Sequence, residues 1–193
     1  MSATPVIDER LRAAGRRAFA RHGYAGATIE RIAREAGLSR VTLHRRGIDR
    51  DDVLAALAVD AADAYRQALW PALTSAGSAR QRLQRALRAI CDTAEQELDV
   101  LVALRAQRDA IFHDDGELGT REVFVEPLAR LLRDGATDGT LRQFGDPDEA
   151  AVVLFNQVGG TYVHLRSEHH WEPTRCRIAL LDMALRGVTS AST

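Results

Sequence analysis

From residue 8 onward the apolar positions recur at helical spacing. Leu11, Ala14, Ala18 and Phe19 fall on one stripe, which is the pattern of a helix with one buried face. Asp8 stands where an N-cap belongs, and the spacing predicts a helix to about Arg21. Gly23 then supplies the left-handed residue that ends helices, and Tyr24 is expected to fold back onto the core. Residues 1–7 read as a disordered tail. Thr28 precedes a short helix, Ile29 to Ala36, with Ile32 and Ala33 inward and Gly37 as its stop. Ser39 caps a third helix ending near Arg46, with Gly47 after it. Helix, glycine turn, helix over Thr28–Arg46 is a helix-turn-helix signature.

Asp49 caps a longer fourth helix, and Asp51 and Asp52 lie in its first turn, where the helix dipole favours acids. Pro71 is expected to disturb or end it near Trp70. Ser78 caps a fifth helix over about 79–95, and a sixth covers roughly 98–113. Asp114-Asp115-Gly116 is a break. A seventh helix spans about 118–135 with Pro127 inside it, an eighth about 148–167, and a ninth runs from Pro173 to near Gly187. The eighth, Ala150 to Val163, is apolar almost all round, so it should be buried on both sides. Its Gly159-Gly160 pair costs a helix about 1 kcal/mol per glycine relative to alanine, which the close approach of another backbone would offset. No internal repeat and no low-complexity linker interrupts the series.

The chain is therefore expected to be all-α, with about nine helices. A three-helix DNA-binding segment over 1–50 would be followed by a helical body over 51–193. Composition agrees: of 193 residues 46% are hydrophobic, and only 5% are aromatic, which suits a helical core rather than a sheet. Net charge is −1, but this hides an asymmetry. The first fifty residues hold eleven arginines against five acids, a net +6, and the remainder is −7. Every basic residue is arginine. A basic N-terminal segment on an acidic body is the footprint of a nucleic-acid-binding domain; a solvated charged face gives the same count. Cys91 and Cys176 lie far apart without a metal or disulfide motif, and read as buried reduced thiols. No apolar run approaches the ~20 residues of a membrane span, and Met1 to Asp8 lacks the features of a signal peptide. A cytoplasmic protein without membrane contact is expected.

Ala18-Phe19, Gly23-Tyr24, Ala27-Thr28-Ile29, Ile32-Ala33, Ala36-Gly37-Leu38-Ser39 and Thr42-Leu43 together resemble the N-terminal domain of the TetR family of transcriptional regulators. The resemblance covers about forty-five residues from Arg10 to Leu54. It implies that the third helix enters a major groove of double-stranded DNA, roughly 12 Å wide. Leu38 and Leu43 would face the domain core, leaving Arg40, Val41, Thr42 and His44 outward. Arg40 can read guanine through a bidentate fork, and Val41 or the Thr42 methyl can touch a thymine methyl. Thr28 and Ser39, at helix starts, suit phosphate oxygens; both are caps whether or not they touch DNA. Arg45, Arg46 and Arg50 would bind phosphates and set register, although an arginine on a short exposed helix is equally a solvated charge. One stretch departs from the family pattern. His44-Arg45-Arg46-Gly47 stands where Tyr-x-His-Phe is usual, so Ile48 is expected to pack in place of the missing phenylalanine.

The resemblance also implies a homodimer built on the last two helices. Phe155, Gly159, Gly160, Val163, Ile178, Leu181 and Leu185 are the interface candidates; an ordinary intrachain core is the other reading. Two-fold symmetry would space the two recognition helices roughly 34 Å apart. In similar proteins the middle helices enclose a small-molecule effector. Tyr65, Trp70, Cys91, Leu104 and Arg105 are candidates for such a pocket, as are Arg108, Phe112, Phe124, Asn156 and Tyr162. Arg105 and Arg108, one turn apart, can grip an anionic ligand or simply face solvent. His164, His169 and His170 cross a helix end without the further ligands of a zinc site. No catalytic triad or phosphate-binding glycine loop occurs, so no metal, cofactor or enzyme activity is expected. Three functions remain open: a ligand-responsive repressor on a palindromic operator, an effector-independent architectural DNA-binding protein, and a helical protein-interaction module.

Overall fold

The structure is a computed structural model that describes residues 6–107 and 124–189. It is helical throughout the described residues. The helices are α1 (Glu9–Gly26), α2 (Ile29–Glu35), α3 (Arg40–Arg45), α4 (Arg50–Thr74), α5 (Ala79–Gln96), α6 (Leu98–Gln107), α7 (Glu126–Thr137), α8 (Pro147–Phe155), α9 (Thr161–Ser167) and α10 (Pro173–Val188). A π-helical turn, Asn156–Gly160, joins α8 to α9. The run expected as a single eighth helix is thus α8, the turn and α9 in succession. The one strand-like contact among the described residues is an isolated bridge between Leu141 and Thr189.

The chain divides into two compact units. One holds the described residues up to Ala61 together with 97–107; the other holds 62–96 and 124–189. In the first, α1 packs on α2 and α6. Leu11, Ala14, Ala18 and Phe19 are buried on α1, and Leu43, Val53, Leu54 and Leu57 of the same unit are fully enclosed. Each such leucine contributes about 1.5–3 kcal/mol. Arg12 fastens α1 to α4 by donating to the Ala56 carbonyl at 2.9 Å and pairing with Asp60, and Arg16 pairs with Glu97. Ile7, expected in a loose tail, is buried, and its carbonyl accepts from Arg12 Nε at 3.0 Å. That bond holds the chain ahead of the cap against α1.

In the second unit α5 packs against α7, α9, α10 and the π turn. Leu83, Ala86, Leu87, Ile90, Cys91 and Ala94 form its buried stripe. Asp138 accepts from the Ala79 amide at 2.7 Å, so a distant loop caps α5 as well as Ser78. Glu95 binds Arg166 through both carboxylate oxygens, at 2.7 and 2.8 Å, and accepts the Tyr162 hydroxyl at 3.0 Å. Cys91 and Cys176 are both free and buried, as expected, and burial pushes the Cys91 thiol up to about 12.

Three local expectations need correction. Pro71 does not end α4, which continues to Thr74. The proline is exposed, so the carbonyl it leaves without a donor can bond water. Pro127 lies in the first turn of α7, directly after Phe124 and Val125 in π-helical conformation, rather than midway along a regular helix. The expected ends of the sixth helix and start of the seventh lie outside the described residues. The third correction is the π turn, which helical periodicity does not anticipate. It follows from i→i+5 bonding, and its extra residue turns everything after it by about 100° relative to a regular helix.

Candidate nucleic-acid interface

Local chemistry builds the helix-turn-helix. The Thr28 side chain accepts from the Arg31 amide and opens α2. At the other end the Leu38 amide bonds back to the Ala33 carbonyl at 2.8 Å, with Gly37 at φ +62°. A left-handed residue at that position turns the chain without strain only if it is glycine. Ser39 then accepts from the Thr42 amide at 3.0 Å and opens α3. Leu43 is fully buried and anchors α3. After Gly47 the Ile48 amide bonds to the Leu43 carbonyl at 3.1 Å, and Ile48 is only 4% exposed. Ile48 is thus packed into the domain directly after the left-handed Gly47.

The outer face of α3 carries Arg40, Val41, His44 and Arg45, all exposed. Val41 is 65% exposed. The Thr42 hydroxyl is half-buried and shares a hydrogen bond with Ser39 Oγ at 2.8 Å. Among the basic candidates the structure draws distinctions that composition cannot. Arg40 Nε lies 3.0 Å from Glu30 Oε1. Arg46 is loosely paired with Asp8 at 3.6 Å. Arg50 is committed: its guanidinium lies 3.9 Å from the centre of the Tyr24 ring, and it donates to the Tyr24 hydroxyl at 2.9 Å and carbonyl at 3.2 Å. The Tyr24 hydroxyl in turn donates to Asp51 at 3.0 Å; burial first, then that carboxylate, raises its pKa.

Glu30 and Tyr24 therefore touch the candidate residues Arg40 and Arg50, although neither is among the residues expected from sequence. An acid on an otherwise basic face was the available signal for Glu30. The carboxyl of Glu30 is held below the usual range by its own backbone N–H, then the Thr28 hydroxyl, then Arg40.

Residues 11–57 match the family of bacterial regulatory proteins described as the tetR family. The N-terminal segment is thus similar to the N-terminal domain of tetR-family regulatory proteins. The matched family is one of regulators, not of enzymes. Solved structures extend the likeness over the whole chain. A tetR-family regulatory protein from Rhodococcus RHA1 superposes with a TM-score of 0.74 at 20% identity, covering 100% of both chains. The ketosteroid transcriptional regulator KstR2 of Mycobacterium tuberculosis gives 0.72 at 19%, covering 99% of this chain and 100% of that one. SmeT, the repressor of the Stenotrophomonas maltophilia multidrug efflux pump SmeDEF, gives 0.70 at 21%, covering 99% and 94%. At such identities the likeness is one of fold: the chain has the tetR-type regulator fold. None of the curated proteins matches it. Among the described residues no helix is long and apolar enough to cross a membrane.

In this tetR-type body the pocket candidates separate. Tyr65, Cys91, Phe124 and Tyr162 are buried in the second unit. The Tyr65 ring meets Phe124 edge-on at 4.8 Å, and Phe124 stacks on Phe155 at 4.2 Å. Trp70 is 65% exposed, and Asn156 is exposed with its amide donating to the Val152 carbonyl at 2.9 Å. Neither points into a core. Leu104 is buried and Arg105 exposed, both in the first unit. Arg108 and Phe112 lie outside the described residues. His164 and His169 meet edge to face at 5.0 Å, and no group of three potential metal ligands occurs among the described residues.

The interface candidates also separate. Phe155 stacks on Phe124, and Gly159, Val163 and Leu181 are buried within their own unit. A β-carbon at Gly159 would lie 3.3 Å from the Ile90 side chain, so a side chain of the same unit, not another backbone, fills that gap. Leu185 is half-buried, Ile178 is exposed, and a β-carbon at Gly160 would meet nothing within 4 Å. On α8 and α10 the large apolar side chains left in solvent are Val152, Val153, Ile178 and Met183. The helix face expected to be buried on its second side is open within one chain.

Proposed function

We propose that this chain is a transcriptional repressor that binds a palindromic operator as a homodimer and releases it when a small ligand binds. Residues 1–50 would be the DNA-binding domain and 51–193 the effector-binding and dimerisation domain. The observation that carries the reading is the face of α3. A short helix held by two caps and Leu43 leaves Arg40, Val41, His44 and Arg45 in solvent, and these are side chains suited to guanine edges, thymine methyls and phosphates. Thr28 and Ser39 at helix starts, with Arg46 beside them, are proposed phosphate contacts.

Dimerisation is supported by the exposed Val152, Val153, Ile178 and Met183 on α8 and α10. A second copy of this chain would bury them together with Gly160 and Leu185, in the isologous pairing usual for homodimers. Repression and ligand response rest on the shared fold; among its structural neighbours SmeT is a repressor. The proposed ligand site lies at the aromatic cluster of Tyr65, Phe124 and Phe155 with Cys91 and Tyr162, residue types that suit an apolar or aromatic molecule. α4 carries residues of both units, and a shift of that helix is the proposed link between ligand and DNA.

Selection of the purified protein on random-sequence duplexes at two salt concentrations tests this reading. Enrichment of a palindrome, with affinity falling steeply as salt rises, is expected. Binding without enrichment would favour an architectural DNA-binding protein, and no binding at all would favour a protein-interaction module.

A further inference from the structure

The first fifty residues contain five acids, and the structure gives most of them a role in the fold. Asp8 caps α1. Glu35 takes Arg17 and Arg21. Asp49 accepts the amides of Asp51 and Asp52. Glu9 sits in the first turn of α1. Glu30 differs: outside its own turn its partner is Arg40, the leading side chain of α3. Both are open to solvent, at 46% and 70%. A carboxylate on this face repels a duplex that carries one negative charge per ~1.7 Å of axis, so it lowers affinity for every DNA sequence. Its presence calls for a compensating role.

The geometry supplies one. Glu30 meets Arg40 at Nε, and no other partner of Arg40 occurs among the described residues. Arginine carries five N–H donors in a fixed fork. The carboxylate lies on the Nε side of the guanidinium as an ion pair, so the two terminal amino groups keep the pair of donors that guanine O6 and N7 accept. A guanidinium held this way enters the groove with less side-chain freedom left to lose. The alternative pose, Arg40 swung onto a phosphate, leaves Glu30 unpaired beside the DNA backbone. One carboxylate therefore favours base reading and disfavours the contact that any sequence offers.

We infer that Glu30 is a specificity-determining residue that positions Arg40 for base reading and penalises its use as a general phosphate contact. The inference rests on the reading of α3 as the recognition helix. Helix-end electrostatics alone would also place an acid early in α2, and the test must separate the two roles.

The duplex enriched by the unmodified protein and a scrambled duplex of the same length serve as probes, with affinities measured by fluorescence anisotropy at fixed salt. The readout is the ratio of the two affinities, from which any inactive fraction of a variant cancels. Glu30→Gln is expected to raise affinity for scrambled DNA and lower the ratio about tenfold, within the range of one lost bidentate contact. Glu30→Asp keeps the charge at the helix end but is one methylene too short for the pairing, so it should lower the ratio as well. In an Arg40→Ala background neither change should alter the ratio. If both Glu30 variants keep the ratio of the unmodified protein while Arg40→Ala lowers it, Glu30 serves only the helix end and the inference is overturned. It is overturned equally if Glu30→Gln lowers the ratio by the same factor without Arg40. Should Arg40→Ala itself leave the ratio unchanged, the recognition-helix reading fails beneath it.

Discussion

Replacing Arg50 and Arg45 in turn separates an arginine that builds the domain from one that binds DNA. Sequence reasoning assigns both to phosphates. In the structure every nitrogen of the Arg50 guanidinium has a partner: Nη2 the Tyr24 hydroxyl, Nη1 the Tyr24 carbonyl, and Nε the Asp51 carboxylate at 3.3 Å. Its plane also lies on the Tyr24 ring. A cation–π contact at such a partly open site contributes about 0.5–1 kcal/mol, and a hydrogen bond involving a charged group about 1.5 kcal/mol at the low end. Arg50→Ala should therefore cost about 2 kcal/mol in urea unfolding followed by circular dichroism. Because Arg50 is already occupied, the slope of log affinity against log salt should stay as it is. Arg45 is exposed and has no ion-pair partner among the described residues. Arg45→Ala should change stability by less than about 0.5 kcal/mol and flatten the salt slope by about 0.9 per protomer, one phosphate's worth. The reverse result would refute this division: a flatter slope for Arg50→Ala with unchanged stability means that Arg50 leaves Tyr24 to reach a phosphate.

Gly37→Ala forces a β-carbon into a left-handed residue and against Arg10 Nη2. The dihedral costs about 1–2 kcal/mol and the flexible Arg10 end adds little, so urea denaturation should show a loss of that size and adding Arg10→Ala should barely restore it. Val153→Asp with Ile178→Asp puts two charges on side chains that are already in solvent within one chain. Sedimentation should show a folded monomer, whereas an unchanged dimer would move the interface elsewhere. Glu95→Gln removes the carboxylate that holds Arg166 and Tyr162, at about 2 kcal/mol. The Arg166 hydrogen bond, then that from Tyr162, holds Glu95 below its ordinary 4.5 when folded. Its stabilisation is thus full above that value and lost as pH falls through the folded pKa. Melting curves of the two proteins should converge in acid and separate at neutral pH.

What could be read in the sequence is what is decided within a few residues. Asp8, Thr28, Ser39 and Asp49 each bond an amide two or three positions on, so the helix starts they mark were legible, as was the burial of Ile48. Phase along the body was not. The π turn at Asn156–Gly160 rotates α9 relative to α8, and a regular-helix count therefore assigns Val163 to an outer face when it is buried. Aromatic content likewise cannot say whether Tyr65, Phe124 and Phe155 stack on each other or stand apart, because they are distant in sequence.

The same limit explains the DNA face. Eleven arginines in fifty residues predict a basic domain, but a guanidinium that several groups of the fold already hold is less free to contact DNA. Arg12 and Arg16 fasten α1 to Asp60 and Glu97, Arg17 and Arg21 share Glu35, and Arg50 lies on Tyr24. These partners come from 14 to 81 positions away, beyond the reach of any local pattern. On α3 itself this leaves Arg45 uncommitted and Arg40 restrained by one exposed acid. Sequence recognition by this domain then depends less on how many arginines it has than on which carboxylates lie beside them.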